Sequence, residues 1–271
     1  KKPEIQAVVV ATPHNFLALI SEAILKTGRY VLCEKPGGVS SREIRKVIKT
    51  AERQKVNFMV SFNHRFHPAF LLARKLFDDG KIGKILFIRA RYGFGGRADY
   101  NKEWRFNKKI SGGGELIDQG VHMIDLARWF LGDIKAVKGF CQNLFWKSKV
   151  EDNAFILLKS KDNSIASIHA SWTNWKAIHN FEIYGTKGYL VVEGLGRKYG
   201  DGEKLILGMR SDNFSNSLKE KIFDCDPNAD ASLERVLEEF VSAIKEKRKP
   251  NPNGEDAYEV LKIVEKVYDQ K

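Results

Sequence analysis

The sequence has no long apolar run. Its 271 residues are 43% hydrophobic and 30% charged, and the most apolar stretch near the start, residues 7–11, is only as long as a strand. A helix that crosses a membrane needs roughly 18 or more consecutive apolar residues, so we expect no membrane partner. Residues 1–4 lead straight into that strand, which predicts that there is no signal peptide.

Cysteine is scarce. Cys33, Cys141 and Cys225 are odd in number, lie far apart and form no Cys-x-x-Cys pair. This pattern argues against a disulfide framework and against a zinc ribbon, and it favours the reducing cytoplasm as the location. The formal net charge is +12, but the lysines are spread along the chain and no nucleic-acid-binding module accompanies them. We therefore expect no nucleic-acid partner.

The sequence also lacks a Gly-x-Gly-x-x-Gly loop between a strand and a helix. In complete dinucleotide-binding folds that loop holds the pyrophosphate. The chain up to residue 61 nevertheless alternates predicted strands with helices, at 5–11, 16–27, 30–33, 40–54 and 57–61. This β-α-β-α-β order predicts a parallel sheet with right-handed crossovers. Since three such strands make about half of the fold, we expect its first half to be missing from this chain.

Beyond residue 61 the pattern changes from alternation to consecutive strands. The predicted strands lie at 85–92, 135–145, 154–159, 165–172, 180–184 and 189–193. The predicted helices lie at 68–79, 114–131, 228–247 and 254–269. Short polar connections between strands, such as residues 161–164, indicate an antiparallel sheet.

These patterns predict two domains. Residues 1–61 form the C-terminal part of a Rossmann dinucleotide-binding domain, an incomplete parallel α/β sheet. Residues 62–271 form an α+β domain with an open, mainly antiparallel sheet flanked by helices, and its last helix packs back on the first domain. Trp172, Trp175, Phe181 and Tyr184 place many aromatic rings on this sheet. They favour an oligomer interface on its outer face. The alternative is that these rings belong to the hydrophobic core.

Three motifs stand where a ligand site is expected. Ala-Thr-Pro at 11–13 ends the first predicted strand, and Glu-Lys-Pro at 34–36 ends the second. Open α/β sheets bind ligands beyond the carboxyl ends of their strands. The third motif, GGGELIDQGVHMID at 112–125, begins the long helix of the second region. Together these motifs resemble those of the Gfo/Idh/MocA family, which includes glucose–fructose oxidoreductase and inositol dehydrogenase, and the resemblance covers essentially the whole chain.

The resemblance implies an NAD- or NADP-dependent dehydrogenase that oxidises a secondary alcohol of a sugar, sugar derivative or cyclitol by hydride transfer. It implies a sugar or polyol substrate and a homodimer or homotetramer. The choice between NAD and NADP depends on a residue of the absent first half. A non-catalytic sugar- or nucleotide-binding regulator with the same fold is the alternative, and hydride transfer to added cofactor discriminates between them.

The residue chemistry agrees with a dehydrogenase. Asp118, His122 and Asp125 are spaced i, i+4 and i+7, so they share one face of a helix. Oxidising an alcohol requires a base for the hydroxyl proton, and a neutral histidine with an ordinary pKa of about 6.5 suits that task. Lys35 can stabilise charge on the reacting oxygen, and Asp118 can orient His122 or accept a substrate hydroxyl. The resemblance makes Lys35, Asp118 and His122 the catalytic set, whereas we expect Asp125 to tie the helix to a neighbouring loop.

The resemblance also extends the site to further residues. The predicted cofactor contacts are Ala11, Thr12, Pro13, His14, Glu34, Lys35, Pro36, Asn63 and Arg65. The predicted substrate contacts are Lys35, Arg65, Trp104, Arg105, Asp118 and His122. His64 and His67 invite a metal interpretation, but no cysteine lies near them in the sequence and the implied chemistry needs no metal. We therefore expect no metal site.

Overall fold

The chain begins with a small parallel sheet. The computed structural model describes residues 4–196, 199–211, 219–225 and 231–270. The sheet has the order β1-β2-β3, with β1 at Ala7–Val10, β2 at Tyr30–Glu34 and β3 at Phe58–Ser61. The connecting helices are α1 at His14–Leu25 and α2 at Ser41–Gln54. The predicted β-α-β-α-β order is therefore confirmed.

The first strand is less covered than its sequence indicated. A continuous apolar run is typical of a parallel strand that is buried on both faces, but among the described residues β1 is an edge strand and Val9 is 57% exposed. Helix α1 also leaves Leu19 64% exposed. Every residue of β3, in contrast, is buried. An apolar run gives a buried strand only where other elements cover both faces, and the described residues do not cover β1 in that way.

The second sheet is larger and mixed. Within the described residues it has eight strands in the order β11-β10-β9-β8-β4-β7-β6-β5. They are β4 at Ile85–Gly93, β5 at Ile134–Gln142, β6 at Asn153–Ser160, β7 at Ile165–Ser171, β8 at Ile178–Gly185, β9 at Gly188–Leu195, β10 at Tyr199–Met209 and β11 at Lys219–Cys225. Only β4 and β7 pair in parallel. A mainly antiparallel sheet is confirmed, and β10 and β11 are additions that the sequence did not predict.

Five helices follow β3 in the described residues. They are α3 at Pro68–Asp78, α4 at Lys108–Ser111, α5 at Val121–Leu131, α6 at Ser232–Lys245 and α7 at Gly254–Tyr268. Short 3-10 turns lie at Asn63–Phe66, Tyr100–Lys102 and Trp104–Phe106, and a π-helical turn at Leu116–Gly120 runs directly into α5. The predicted beginning of α6 at Asn228 lies outside the described residues. No described helix combines the length and apolar character that a membrane span requires.

The last helix contacts the first region through ion pairs and hydrogen bonds. The Glu265 carboxylate of α7 accepts hydrogen bonds from both the main-chain N–H and the hydroxyl of Ser41, at 2.7 and 2.6 Å. Arg45 of α2 pairs with Glu255 of α7 at 2.7 Å. Helix α7 therefore lies against α2, close to the parallel sheet. The boundary between two domains at residue 61 stays a prediction.

The aromatic residues of the large sheet divide between its faces. Trp172 and Phe181 are fully buried in the core, so placing them on the outer face was wrong. Phe181 packs against Phe70 of α3 and Phe130 of α5, whereas Trp172 packs against Tyr100 and Phe106 in the 3-10 turns before α4. Trp175 is 67% exposed, and Tyr184 stacks on the part-exposed ring of Phe87 at 4.7 Å.

Candidate active site

A lysine at the end of the parallel sheet contacts the large region. Lys35 follows the last residue of β2, and its peptide bond to Pro36 is cis. Its Nζ donates to Asp118 Oδ1 at 2.7 Å and to the main-chain oxygen of Asp118 at 2.5 Å. These two hydrogen bonds fix the ammonium group in place at the carboxyl edge of the small sheet.

The Asp118 carboxylate lies between two cations. Lys35 binds one oxygen, and Arg105 Nε donates to the other at 3.0 Å. Burial alone would raise the pKa of Asp118, but the charges of Lys35 and Arg105 outweigh burial and hold this pKa below its usual range. Asp118 is therefore an ionised carboxylate whose two oxygens are both occupied.

A histidine and a tryptophan border the same carboxylate. His14 is the first residue of α1, and its Nε2 lies 4.0 Å from Asp118 Oδ1 while its Nδ1 donates to the main-chain oxygen of Ser111 at 2.9 Å. Trp104 packs edge-on against this ring, with centroids 4.8 Å apart. Burial, reinforced by the Lys35 charge, lowers the pKa of His14 to about 4. The structure thus brings His14, Trp104 and Arg105 together around Asp118.

His122 lies on the first turn of α5 and is buried. Its Nδ1 has no hydrogen-bond partner among the described residues. Burial first, and then the Lys35 charge, lower the pKa of His122 well below its usual range, so the ring is neutral. No hydrogen bond joins Asp118 to His122 among the described residues, and the carboxylate oxygens bind Lys35 and Arg105. Instead the ring of His122 stacks on that of His64 at 3.8 Å.

The helix that carries these residues differs from the predicted one. It begins with the π-helical turn at 116–120 rather than with regular α-helix. Residues on both the polar and the apolar stripe are buried, from Leu116 and Asp118 to His122 and Met123. The helix lies between the large sheet and α7, so its polar stripe faces the interior as well. The polar spacing of Asp118 and His122 therefore does not indicate a solvent-exposed face of the helix.

The glycine run before this helix lets the backbone approach its neighbours closely. A Cβ on Gly113 would lie 2.0 Å from Tyr268 Oη, and a Cβ on Gly114 would lie 1.9 Å from the main-chain oxygen of Glu151. The Glu151 carboxylate accepts hydrogen bonds from the N–H groups of Gly114 and Leu116 and from the Tyr268 hydroxyl, at 2.7 to 3.1 Å. The turn that positions Asp118 is thus anchored to α7 and to the beginning of β6.

Two predicted contact residues have other partners. Arg65 is only 4% exposed; its Nε and Nη2 donate to Asp125, and its Nη1 donates to Asn251. Asp125 therefore ties α5 to the segment after β3, as expected from the sequence. Asn63 donates to the Ser232 hydroxyl at 3.2 Å. Because the guanidinium of Arg65 is engaged and buried, we no longer assign it a cofactor or substrate contact.

The remaining predicted cofactor contacts surround the carboxyl ends of β1 and β2. They are Ala11, Thr12, Pro13, Glu34 and Pro36. The buried Thr12 hydroxyl and Asn15 Oδ1 have no partner among the described residues, so a bound amide or ribose could satisfy them. Burial raises the pKa of Glu34. These groups fit the nicotinamide end of a dinucleotide, whereas a Gly-rich loop for its pyrophosphate does not occur in the sequence.

Glu115 was not singled out from the sequence, and His64 was considered only as a metal ligand. Glu115 is fully buried, and neither carboxyl oxygen has a partner among the described residues. Burial first, and then the Asp118 charge, raise the pKa of Glu115 well above its usual range, so it is held as the neutral acid. No sequence signal distinguished it, because an acidic residue near a helix start ordinarily stabilises the helix dipole in water.

The histidines near the site do not form a metal cluster. His67 Nδ1 lies 2.8 Å from Glu203 Oε2, which makes a buried pair. The ring of His64 meets that of His67 edge to face rather than converging with it on a point. In the part of the chain that the structure describes, no group of three or more His, Cys, Asp or Glu residues could hold a metal ion.

Two family models match the chain. Residues 1–62 match the oxidoreductase family with an NAD-binding Rossmann fold, and residues 70–191 match the GFO/IDH/MocA C-terminal domain. The first segment contains Lys35, and the second contains Arg105, Asp118 and His122. Both parts of the site described above therefore fall within the matched segments.

Similar proteins include sugar and cyclitol dehydrogenases. Levoglucosan dehydrogenase of Pseudarthrobacter phenanthrenivorans is 30% identical over 217 residues, which are 70% of this chain and 55% of that protein. Inositol 2-dehydrogenase of Rhizobium meliloti is 26% identical over 97% of this chain and 77% of that protein. The chain thus spans about half to three quarters of these relatives.

Solved structures show the same architecture. The structure of levoglucosan dehydrogenase in complex with NADH superposes with a TM-score of 0.87 at 26% identity, over 99% of this chain and 78% of that one. Its complex with NADH and levoglucosan has the same TM-score. Together with the two family matches, these similarities show that the chain belongs to the Gfo/Idh/MocA family of oxidoreductases.

Proposed function

We propose that this chain carries the substrate side and the nicotinamide side of the active site of an NAD- or NADP-dependent dehydrogenase. The reaction is oxidation of a secondary alcohol of a sugar, sugar derivative or cyclitol. The observation that carries this proposal is the contact of Lys35 with Asp118, with Arg105 on the second carboxylate oxygen and neutral His122 one helical turn away. The levoglucosan and inositol dehydrogenases among the relatives support the substrate class.

The proposed chemistry separates a hydride from a proton. A bound oxidised nicotinamide would supply the acceptor for the hydride of the carbinol carbon. Lys35 donates a hydrogen bond to the hydroxyl oxygen and stabilises the negative charge that develops there. Asp118 keeps Lys35 positioned through its 2.7 Å contact. A ring nitrogen of His122 takes the hydroxyl proton, and a neutral imidazole is suited to that transfer near neutral pH.

Two residues at the rim suit a polyhydroxylated ligand. The Arg105 side chain is 31% exposed, so it can bind Asp118 and still present N–H donors to substrate hydroxyls. Trp104 offers an apolar ring beside it, and sites for small polar ligands commonly combine such a surface with a few directed donors. These residues are assigned to substrate binding, with Lys35, Asp118 and His122 as the catalytic set.

The proposal is tested by hydride transfer in the full-length protein. A panel that includes levoglucosan and myo-inositol is offered with NAD and with NADP, and reduced cofactor and carbonyl product are measured together. Lys35→Ala should lower kcat by about 10² to 10³-fold, as loss of one charge-stabilising donor does in other enzymes. Lys161→Ala, an exposed lysine paired with Asp133, is the matched control. Sugar binding without any reduced cofactor would instead favour the non-catalytic regulator.

We also propose a homodimer or homotetramer formed through the outer face of the large sheet. On β5 to β7 this face exposes Phe140, Phe155, Leu157 and Ile165, by 71, 44, 52 and 45%. Contiguous apolar surface of this kind usually marks an interface. In analytical ultracentrifugation Phe155→Glu should sediment as a monomer and the unaltered protein as an oligomer. Monomer mass for both proteins would contradict the assembly.

The three unpaired cysteines agree with the proposed cytoplasmic location.

A further inference from the structure

Two buried histidines stack face to face beside the proposed reaction centre. His64 lies in the 3-10 turn after β3, and its ring centroid is 3.8 Å from that of His122 with the ring planes 12° apart. The two residues are 4 and 5% exposed. Neither Nδ1 has a hydrogen-bond partner among the described residues. The most direct restraint on the His122 ring is therefore the face of another ring.

The ring of His64 is itself held on its edges. Tyr92, His67 and His179 each meet it edge to face, with centroids 5.1, 5.7 and 6.0 Å away. His67 is in turn fixed by its 2.8 Å contact with Glu203. Interior side chains packed in this way have little freedom to change rotamer. His64 is thus a rigid surface on which His122 lies.

A general-base histidine is ordinarily oriented by a hydrogen bond from its second nitrogen to a carboxylate or a carbonyl oxygen. Asp118 is the nearby carboxylate, but its oxygens bind Lys35 and Arg105. Among the described residues, therefore, no hydrogen bond from Asp118 orients the His122 ring. The stacked ring is the contact that can supply the same restraint.

We propose that His64 is a positioning residue for the dehydrogenase reaction: its ring fixes the plane of His122 and stabilises the imidazolium that forms when His122 takes the substrate proton. The stabilisation of the imidazolium rests on the proposed function, whereas the orientation of the ring does not. In the step concerned the hydroxyl O–H bond breaks, its proton moves to a ring nitrogen of His122, and the hydride leaves the carbon for the nicotinamide. The orientation of the His122 ring is a property of the protein alone.

The charges around the pair limit how many protons it can hold. A cation over the face of an aromatic ring is attracted to it, so a neutral His64 ring suits a protonated His122. Two imidazolium rings at 3.8 Å would repel each other, so the pair can take up at most one proton. Lys35, His67 and His179 lower the pKa of both rings, whereas Asp118 raises the pKa of His122. Burial also lowers the pKa of both rings, as these three neighbours do.

Kinetics of three variants test the catalytic half. His64→Phe keeps a flat ring over His122, His64→Leu removes it, and His179→Phe alters a buried histidine that contacts His64 but not His122. We expect His64→Leu to lower kcat by about 10 to 10²-fold with a nearly unchanged KM, because misplacement by ~1 Å has effects of this size. His64→Phe and His179→Phe should stay within about 3-fold of wild type. Equal losses in the Phe and Leu variants would overturn the stacking role.

Nuclear magnetic resonance of ring-labelled histidine tests the positioning half without substrate or cofactor. His122 should give one sharp set of ring signals in the wild type and in His64→Phe. In His64→Leu we expect broadened or doubled signals, because the ring no longer has a single orientation. Unchanged His122 signals in His64→Leu would overturn the inference even if the enzyme oxidises sugars. Conversely, the expected signals with no turnover of any polyol would leave the positioning role standing and remove the proposed function.

Discussion

The two sheets of this protein bury their strands to different degrees. In the small parallel sheet β3 is fully buried, but Val9 of β1 and Leu19 of α1 are largely exposed. In the large sheet the face toward the helices is closed, and residues such as Val192 and Phe181 have no exposed surface. The site takes Lys35 from the first region and Asp118, Arg105 and His122 from the second. The comparison indicates that the large sheet stabilises the protein through its buried face and that the small sheet positions Lys35.

The largest expected effect concerns the attachment of α5 to the segment after β3. Arg65→Met leaves the carboxylate of Asp125 buried without its bidentate partner. Removing one member of a buried ion pair costs about 3 to 5 kcal/mol, so we expect a loss of that size in the free energy of unfolding, measured by urea denaturation. Arg89→Met breaks a surface pair with Glu182 and should cost at most about 1 kcal/mol. Similar losses in both variants would contradict a structural role for Arg65.

The next effect concerns the contact between the two regions. Asp118→Asn removes the charge that holds Lys35 and Arg105, and we expect kcat to fall by about 10²-fold or more. The pKa of Asp118 is lowered in the folded state, so its contribution to stability is present above its unfolded value of about 3.9 and is lost as the pH falls below that value. The difference in Tm between the wild type and Asp118→Asn should therefore be larger at about pH 7 than at about pH 3. A constant difference would contradict the ion pair.

Much of this site could be predicted from the sequence because its residues stand at fixed places in the fold. Lys35 ends a parallel strand and Asp118 begins the helix after the glycine run, so topology alone brings them near the same edge. The burial of Arg65 against Asp125 could not be predicted, because an arginine beside a site and an arginine in a buried ion pair have the same local sequence. Nor could the π-helical turn be predicted, since no residue pattern separates it from α-helix.

A smaller effect compares the packing of the two sheets directly. Val192→Ala removes two buried methyl groups from β9, which should cost about 2 kcal/mol including the cavity. Val9→Ala removes the same atoms from β1, where the side chain is 57% exposed, and should change stability by less than about 0.5 kcal/mol. Equal costs, measured by calorimetry in the same buffer, would show that β1 is covered by residues other than those described.

The smallest effect concerns the buried neutral acid. The pKa of Glu115 is raised by burial, so its carboxyl stays protonated in the folded state when the unfolded chain ionises above about pH 4.3. Stability is then lost as the pH rises. Glu115→Gln should match the wild-type Tm at about pH 4 and exceed it by a few degrees at about pH 7. Glu238→Gln, an exposed control, should change neither value. A lower Tm for Glu115→Gln at neutral pH would show that Glu115 is ionised.

The close approach of the glycine run to α7 has a consequence for how this sequence can vary among related proteins. A side chain at position 113 meets the end of the Tyr268 ring, so a larger residue there becomes possible only with a smaller one at position 268. These two positions, far apart in the chain, should therefore covary. Position 114 faces the backbone of Glu151, which no substitution can shorten. It should stay glycine in every relative that keeps this turn.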